Sequence, residues 1–130
     1  MAWATQILSD KNFEVTVKAT CTAAESEATI LDASDLVGHD SSPALDIVGV
    51  AWCTTGGTLL IEFDADTDDT ALALVGNGKL GFADGLPTIA INPTSTGSTG
   101  DIRATSAGAT TLILKLRKVA GYRNQRLFLT

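Results

Sequence analysis

From Phe13 to Cys21 the chain alternates without a break: Phe13, Val15, Val17, Ala19 and Cys21 are apolar, and Glu14, Thr16, Lys18 and Thr20 between them are polar. A period of two marks a β-strand with one dry and one wet face. Ala28–Leu31 reads as a second strand after a turn over Thr22–Ser26, and Asp32 is placed to cap one helical turn running to Leu36. Gly38–Pro43 reads as a loop that carries the single histidine, His39. Two apolar runs, Leu45–Cys53 and Thr58–Asp64, flank Thr54-Thr55-Gly56-Gly57, a spacing that predicts a central β-hairpin. Ala71–Val75 and Lys79–Phe82 flank Gly76-Asn77-Gly78, a type I′ hairpin signal. A further hairpin is predicted between Ile102–Thr105 and Thr110–Val119 across Ser106-Ala107-Gly108, with Leu112, Leu114 and Leu116 sharing one face. Asn92–Gly100 has no apolar anchor and reads as a mobile surface loop.

Together these are eight or nine short strands with almost no helical period. The pattern predicts an all-β fold, a β-sandwich or jelly roll of about eight antiparallel strands, with a closed barrel as the alternative. Residues 1–12 lack a period and read as an N-terminal arm, residues 13–121 as one β-domain, and residues 122–130 as a tail or edge strand built on Leu127-Phe128-Leu129.

Composition agrees: 130 residues fit one domain, and 45% hydrophobic content supports a core. No apolar run approaches membrane length, and the first residues lack the basic and apolar regions of a secretion signal. Synthesis in a cytoplasm is therefore expected, with Cys21 and Cys53 reduced and Cys21 acting as a small buried hydrophobe.

Charge is unevenly spread. Residues 1–101 carry Lys11, Lys18 and Lys79 against all 15 acids, whereas residues 102–130 carry Arg103, Lys115, Arg117, Lys118, Arg123 and Arg126 with no acid. Either the basic strands pair with acidic ones inside one sheet, or the segregation drives contact between copies. The acidic balance argues against nucleic acid as the main partner.

Candidate chemistry is sparse. His39 beside Asp40, Ser41 and Ser42 offers residue types of a hydrolytic triad, but triads are assembled in space and not from consecutive residues. Cys21, Cys53 and His39 lack zinc spacing. Asp64, Asp66 and Asp68 open like a calcium loop, yet Asp69 and Val75 stand where an EF-hand needs Gly and Glu; they remain a weak calcium candidate at a β-turn. Glu62 and Asp64 share one strand face, which suits a wet sheet surface as well as a glycosidase pair. Trp3 and Trp52 have the faces to stack on a sugar, although core packing suits Trp52. Neither an enzyme nor a cofactor is expected.

Gly76-Asn77-Gly78-Lys79-Leu80-Gly81-Phe82, the Thr99–Ile102 step and the closing Thr111–Lys118 strand resemble small virion structural proteins of tailed bacteriophages, most of all the head decoration (cement) class. The resemblance covers about residues 10–122 as order and spacing. It implies a non-enzymatic protein on the outside of a capsid, binding the major capsid protein and its own copies as a homotrimer, without nucleic acid or membrane. Under it, Trp3, Ile7 and Leu8 of the arm and Tyr122, Arg123 and Arg126 of the tail would make the inter-subunit contacts. Removing residues 1–10 would then abolish shell binding and spare the fold. The alternatives are a carbohydrate- or receptor-binding domain on a tail appendage, and a neck or tail component.

Overall fold

The computed structural model describes residues 3–81 and 88–122. Among them are nine strands: β1 (Ala4–Asp10), β2 (Glu14–Cys21), β3 (Glu25–Leu31), β4 (His39–Thr54), β5 (Leu59–Phe63), β6 (Asp69–Leu74), β7 (Asn77–Leu80), β8 (Ile102–Ser106) and β9 (Thr110–Tyr122). They form two antiparallel sheets, ordered β1-β2-β9-β4-β7 and β3-β8-β5-β6. Strand pairs β2–β9, β3–β8, β4–β7 and β5–β6 are mirror partners along the chain. The fold is thus one long antiparallel ribbon, with its tip between β5 and β6, rolled up so that successive segments alternate between sheets. That is a jelly roll, with β1 added along β2. Among the described residues no helix is long and apolar enough to cross a membrane.

The alternation read from sequence is the alternation that buries the core. In β2, Val15, Val17, Ala19 and Cys21 point inward, while Phe13, just before the strand, is 40% exposed. Leu112, Leu114 and Leu116 of β9 and Leu59, Ile61 and Phe63 of β5, in opposite sheets, belong to one buried cluster. Each such side chain contributes about 1.5–3 kcal/mol by leaving water. In β4 the inward set runs Leu45, Ile47 and then Val50, because a bulge between Ile47 and Gly49 shifts the register and with it the parity.

Asp32 caps the 3-10 turn Ala33–Asp35 by accepting from the Ser34 amide at 2.9 Å, as its position predicts. The three predicted hairpins are corrected. β4 and β5 lie in different sheets, as do β6 and β7, and β8 and β9. Their glycines serve a different end. The 54–58 and 106–110 crossings stack on each other, so that a Cβ on Gly108 would lie 2.9 Å from the Gly56 nitrogen. Thr110 Oγ1 donates to Thr54 Oγ1 at 2.9 Å beneath them, and the Thr55 amide donates to the Ala109 carbonyl at 3.0 Å. Asn77 and Gly78, expected in a turn, sit within β7 opposite Cys53 and Trp52. The one ribbon tip that is a hairpin, β5–β6, turns through the acidic stretch 64–68.

Three further expectations change. Residues 4–10 are not a free arm but strand β1. The His39 loop is the start of β4, with His39 opposite Tyr122. The 92–100 segment is tied to the β5–β6 turn through Asp66 N to Thr96 O (3.0 Å) and Thr99 Oγ1 to Asp64 Oδ2 (2.7 Å).

Candidate functional site

Three places on this frame gather polar chemistry. The first lies on the outer face of the smaller sheet. Arg103 alternates with buried Ile102 and Ala104 on β8, so its guanidinium points outward. It stands 3.1 Å from Glu27, 3.3 Å from Asp68 and 3.7 Å from Asp64. Glu27, Glu62 and Asp68 bring carboxylate oxygens within 4.8 Å of one another. Like charges this close cannot all ionise freely, and the hydrogen bond with Glu62 pushes Glu27 up to about 7, with loss of hydration next in weight. Asp68 is held below the usual carboxylate range, chiefly by the Ala65 amide that donates to it at 3.0 Å. Of the sequence-predicted calcium set, Asp64 and Asp68 therefore converge, but on a guanidinium; Asp66 turns away, its Oδ1 beside Gly97.

The second place is inside. Lys118 has no exposed side-chain surface, and its ammonium donates to Asp10 Oδ1 at 2.6 Å, Lys11 O at 2.7 Å and Val37 O at 2.8 Å. It lies 5.0 Å from the centre of the Tyr122 ring. Asp10 also accepts from the Val37 amide with Oδ2 at 2.8 Å, so one carboxylate joins β1, β9 and the chain after the 3-10 turn.

The third is a groove of about 280 Å³ between the neighbouring edge strands of the two sheets. Thr5, Ile7 and Asp10 of β1 form one wall; Ile30, Asp32, Asp35 and Leu36 belong to the other. β1 is the outermost strand of its sheet, and Leu8 is skipped in the β1–β2 register, a bulge that leaves both Ile7 (46%) and Leu8 (47%) exposed.

The residues expected to contact partners divide accordingly. Ile7 and Leu8 are on the surface. Tyr122 is not: it is 1% exposed, its hydroxyl donates to Ala33 O at 2.8 Å, and burial pushes its phenol up. Trp3 packs half-buried against the domain's own core, its indole N–H enclosed without a partner. Arg123 and Arg126 lie outside the described residues. His39 meets Tyr122 edge-on, with ring centres 6.1 Å apart. Trp52 is half-buried, donates to Val75 O at 2.9 Å and covers Gly78, where an added Cβ would lie 3.0 Å from its ring. Cys21 is buried and Cys53 exposed, both as free thiols. Sequence reasoning missed the grouping of Glu27, Glu62 and Arg103, and separately the pairing of Lys118 with Asp10. The outward phase of Arg103 between Ile102 and Ala104 was the one available signal.

No protein-family model matches the chain, and no curated protein does. Among solved structures, a cupin superfamily protein from Desulfitobacterium hafniense DCB-2 is similar at 12% identity over 92% of this chain and 79% of that one, with a TM-score of 0.38. An RmlC-like cupin protein from Desulfovibrio desulfuricans is similar at 11% identity over 87% and 80%, with a TM-score of 0.36. At this distance no residue role passes from either to this chain.

Proposed function

We propose that this chain is a non-enzymatic virion structural protein: a decoration (cement) protein that binds the outside of a phage head, joins neighbouring copies of the major capsid protein and assembles as a homotrimer. The observation that carries this reading is the filled interior. Leucine, isoleucine, valine and phenylalanine occupy the space between the sheets, so interaction is left to the outer surfaces. Single apolar side chains stand out there, among them Leu8 at 47%, Val75 at 64% and Ile91 at 69%. Shallow contacts of this kind bind weakly one at a time and strongly when repeated over a symmetric shell. Leu8, lifted out of the β1 register, is the contact we assign to the capsid.

Copy number tests the reading. In purified parent particles, mass spectrometry should give this protein in a small whole-number ratio to the major capsid protein. A handful of copies per particle, or none, would overturn it. Leu8→Glu should then abolish binding to shells stripped of the protein while its unfolding transition stays in place; undiminished binding removes Leu8 from the contact.

A further inference from the structure

We propose that the cleft between the free edge of β6 and residues 89–93 binds an extended, basic peptide segment of a protein partner, which adds a strand to β6 and sets a lysine or arginine against Asp69. The inference stands whether or not that partner is a capsid protein. It rests on the walls of the cleft, on two polar atoms left unpaired there, and on the charge beside it.

The cleft has a volume of about 350 Å³ and is lined by residues 69–71 of β6, by Phe63, and by residues 89–91 and Pro93. β6 is the outermost strand of the smaller sheet and pairs with β5 on one side. Along its other side, backbone N–H and C=O groups meet no strand among the described residues, which is the template for strand addition. In the ladder with β5, Leu72 faces Ile61 and Thr70 faces Glu62, so Ala71 is the bulged residue, and it lines the cleft. The opposite wall is bridged to β4: Ile47 N donates to Ala90 O at 2.8 Å, and Ile89 N to Ile47 O at 2.9 Å. The turn before β6 is fastened through Asp66 N to Thr96 O at 3.0 Å. Both walls are thus fixed before anything enters, which lowers the ordering cost of binding.

Asn92 sits between the lining residues Ile91 and Pro93 and is only 7% exposed. Its backbone N–H donates to Asp46 Oδ1 at 3.0 Å, and its Oδ1 accepts from the Thr94 amide at 2.8 Å. Its Nδ2 is enclosed and has no partner among the described residues, and the same holds for Asp69 Oδ2. Buried donors and acceptors are paired in nearly every native structure. One donor and one acceptor left over at the same cleft call for a ligand that offers both kinds of group. A basic peptide does: a backbone carbonyl for Asn92 Nδ2 and a cation for Asp69.

Charge favours the same occupant. Arg103 serves Glu27, Asp64 and Asp68 and leaves Asp69 out. Asp66 and Asp68 precede it in the turn, so this end of β6 is negative and selects a basic segment. Beyond Asp69 the strand reads Thr70-Ala71-Leu72-Ala73-Leu74, with no charge or proline to repel an added strand. Ile91, a lining residue that is still 69% exposed, supplies apolar surface for the strand to cover.

The probe is a phage-displayed library of random linear peptides, panned on the immobilised full chain. Recovered sequences should join a lysine or arginine to β-branched or aromatic residues. A synthetic copy of one, added to ¹⁵N-labelled protein, should shift the amides of residues 69–72 and 89–92. Asp69→Asn and Asn92→Asp preserve side-chain size. Each should weaken the peptide roughly tenfold, the worth of one hydrogen bond to a charged group, with its unfolding transition in place. Should Asn92→Asp fail to fold, Asp69→Asn decides alone. Recovery of no peptide, or shifts that map elsewhere, overturns the proposal, and the two polar atoms then serve ordered water. Binding that the variants leave unchanged overturns it as well. So does a concentration-dependent shift of the 69–72 amides without peptide, because the free edge then takes a second copy of this chain.

Discussion

The buried ammonium of Lys118 makes the sharpest demand on stability. Its side chain has no exposed surface, and the Asp10 carboxylate that neutralises it is 16% exposed, so water does little to screen the pair. Replacing Asp10 by Ala would leave a cation enclosed with only two carbonyls, Lys11 O and Val37 O, and the Tyr122 ring. Removing one partner of a buried pair costs about 3–5 kcal/mol. Those remaining acceptors put Asp10→Ala at the lower end, about 3 kcal/mol. For a domain of this size that lowers Tm by about 12 °C, at about 4 °C per kcal/mol. Urea denaturation of Asp10→Ala, Lys118→Met and the double variant should give a coupling energy of about 2 kcal/mol, with m unchanged. A coupling below about 0.5 kcal/mol, the worth of an ordinary surface pair, would refute the reasoning. The same geometry corrects the expectation that residues 1–10 can be removed without harm. Their loss would strip β2 of its neighbour and uncover Lys118, so point changes such as Leu8→Glu are the sound way to probe β1.

Two further perturbations follow from local geometry. A Cβ on Gly100 (φ +83°) would sit 2.4 Å from Pro43 O, whereas one on Gly76 (φ +66°) would meet nothing within 4 Å. Gly100→Ala should therefore cost roughly 2–3 kcal/mol in denaturant, and Gly76→Ala only the backbone penalty of about 1 kcal/mol; equal costs would contradict this. Glu27, pushed up from 4.5 to about 7, binds its proton more tightly folded than unfolded. Its contribution is present below pH 4.5 and is lost as pH rises to 7, by no more than about 1 kcal/mol after screening at this surface position. Asp101, raised chiefly by burial, acts in the same direction, whereas Asp32 and Asp68 are held low and act only below 3.8. Denaturation midpoints at pH 5 and pH 8 should differ less in Glu27→Gln than in the parent, and an unchanged difference would count against the shared proton.

How the fold shows in the sequence depends on which property is read. Inward and outward positions were legible because a strand's period of two survives any pairing: Val15, Val17 and Ala19 are buried whether β2 meets β3 or β9. Pairing was not legible. A hairpin and a crossing between sheets both need a short polar link with glycine, and both leave the flanking apolar residues facing inward. Thr54–Gly57, Gly76–Gly78 and Ser106–Gly108 carry the hairpin signal, yet each link changes sheet. The jelly-roll reading contains the correction, since strands adjacent in a rolled ribbon fall on opposite sheets. The partner of β2 is then β9, about ninety residues away, and no local turn signal reports it.

The charge pattern follows the same logic. Segregation of acids before residue 102 from bases after it left open contact between copies. In the folded chain, β8 and β9 lie between strands from the acidic part, and the long-range pairing discharges most of the asymmetry internally: Arg103 meets Glu27, Asp64 and Asp68, Lys115 meets Glu14, Arg117 meets Asp46, and Lys118 meets Asp10. Tyr122 was drawn into the same accounting. An aromatic at a basic tail looks like an anchor for a partner, but its ring covers Lys118 and its hydroxyl satisfies a carbonyl of the 3-10 turn, so it anchors the chain to itself.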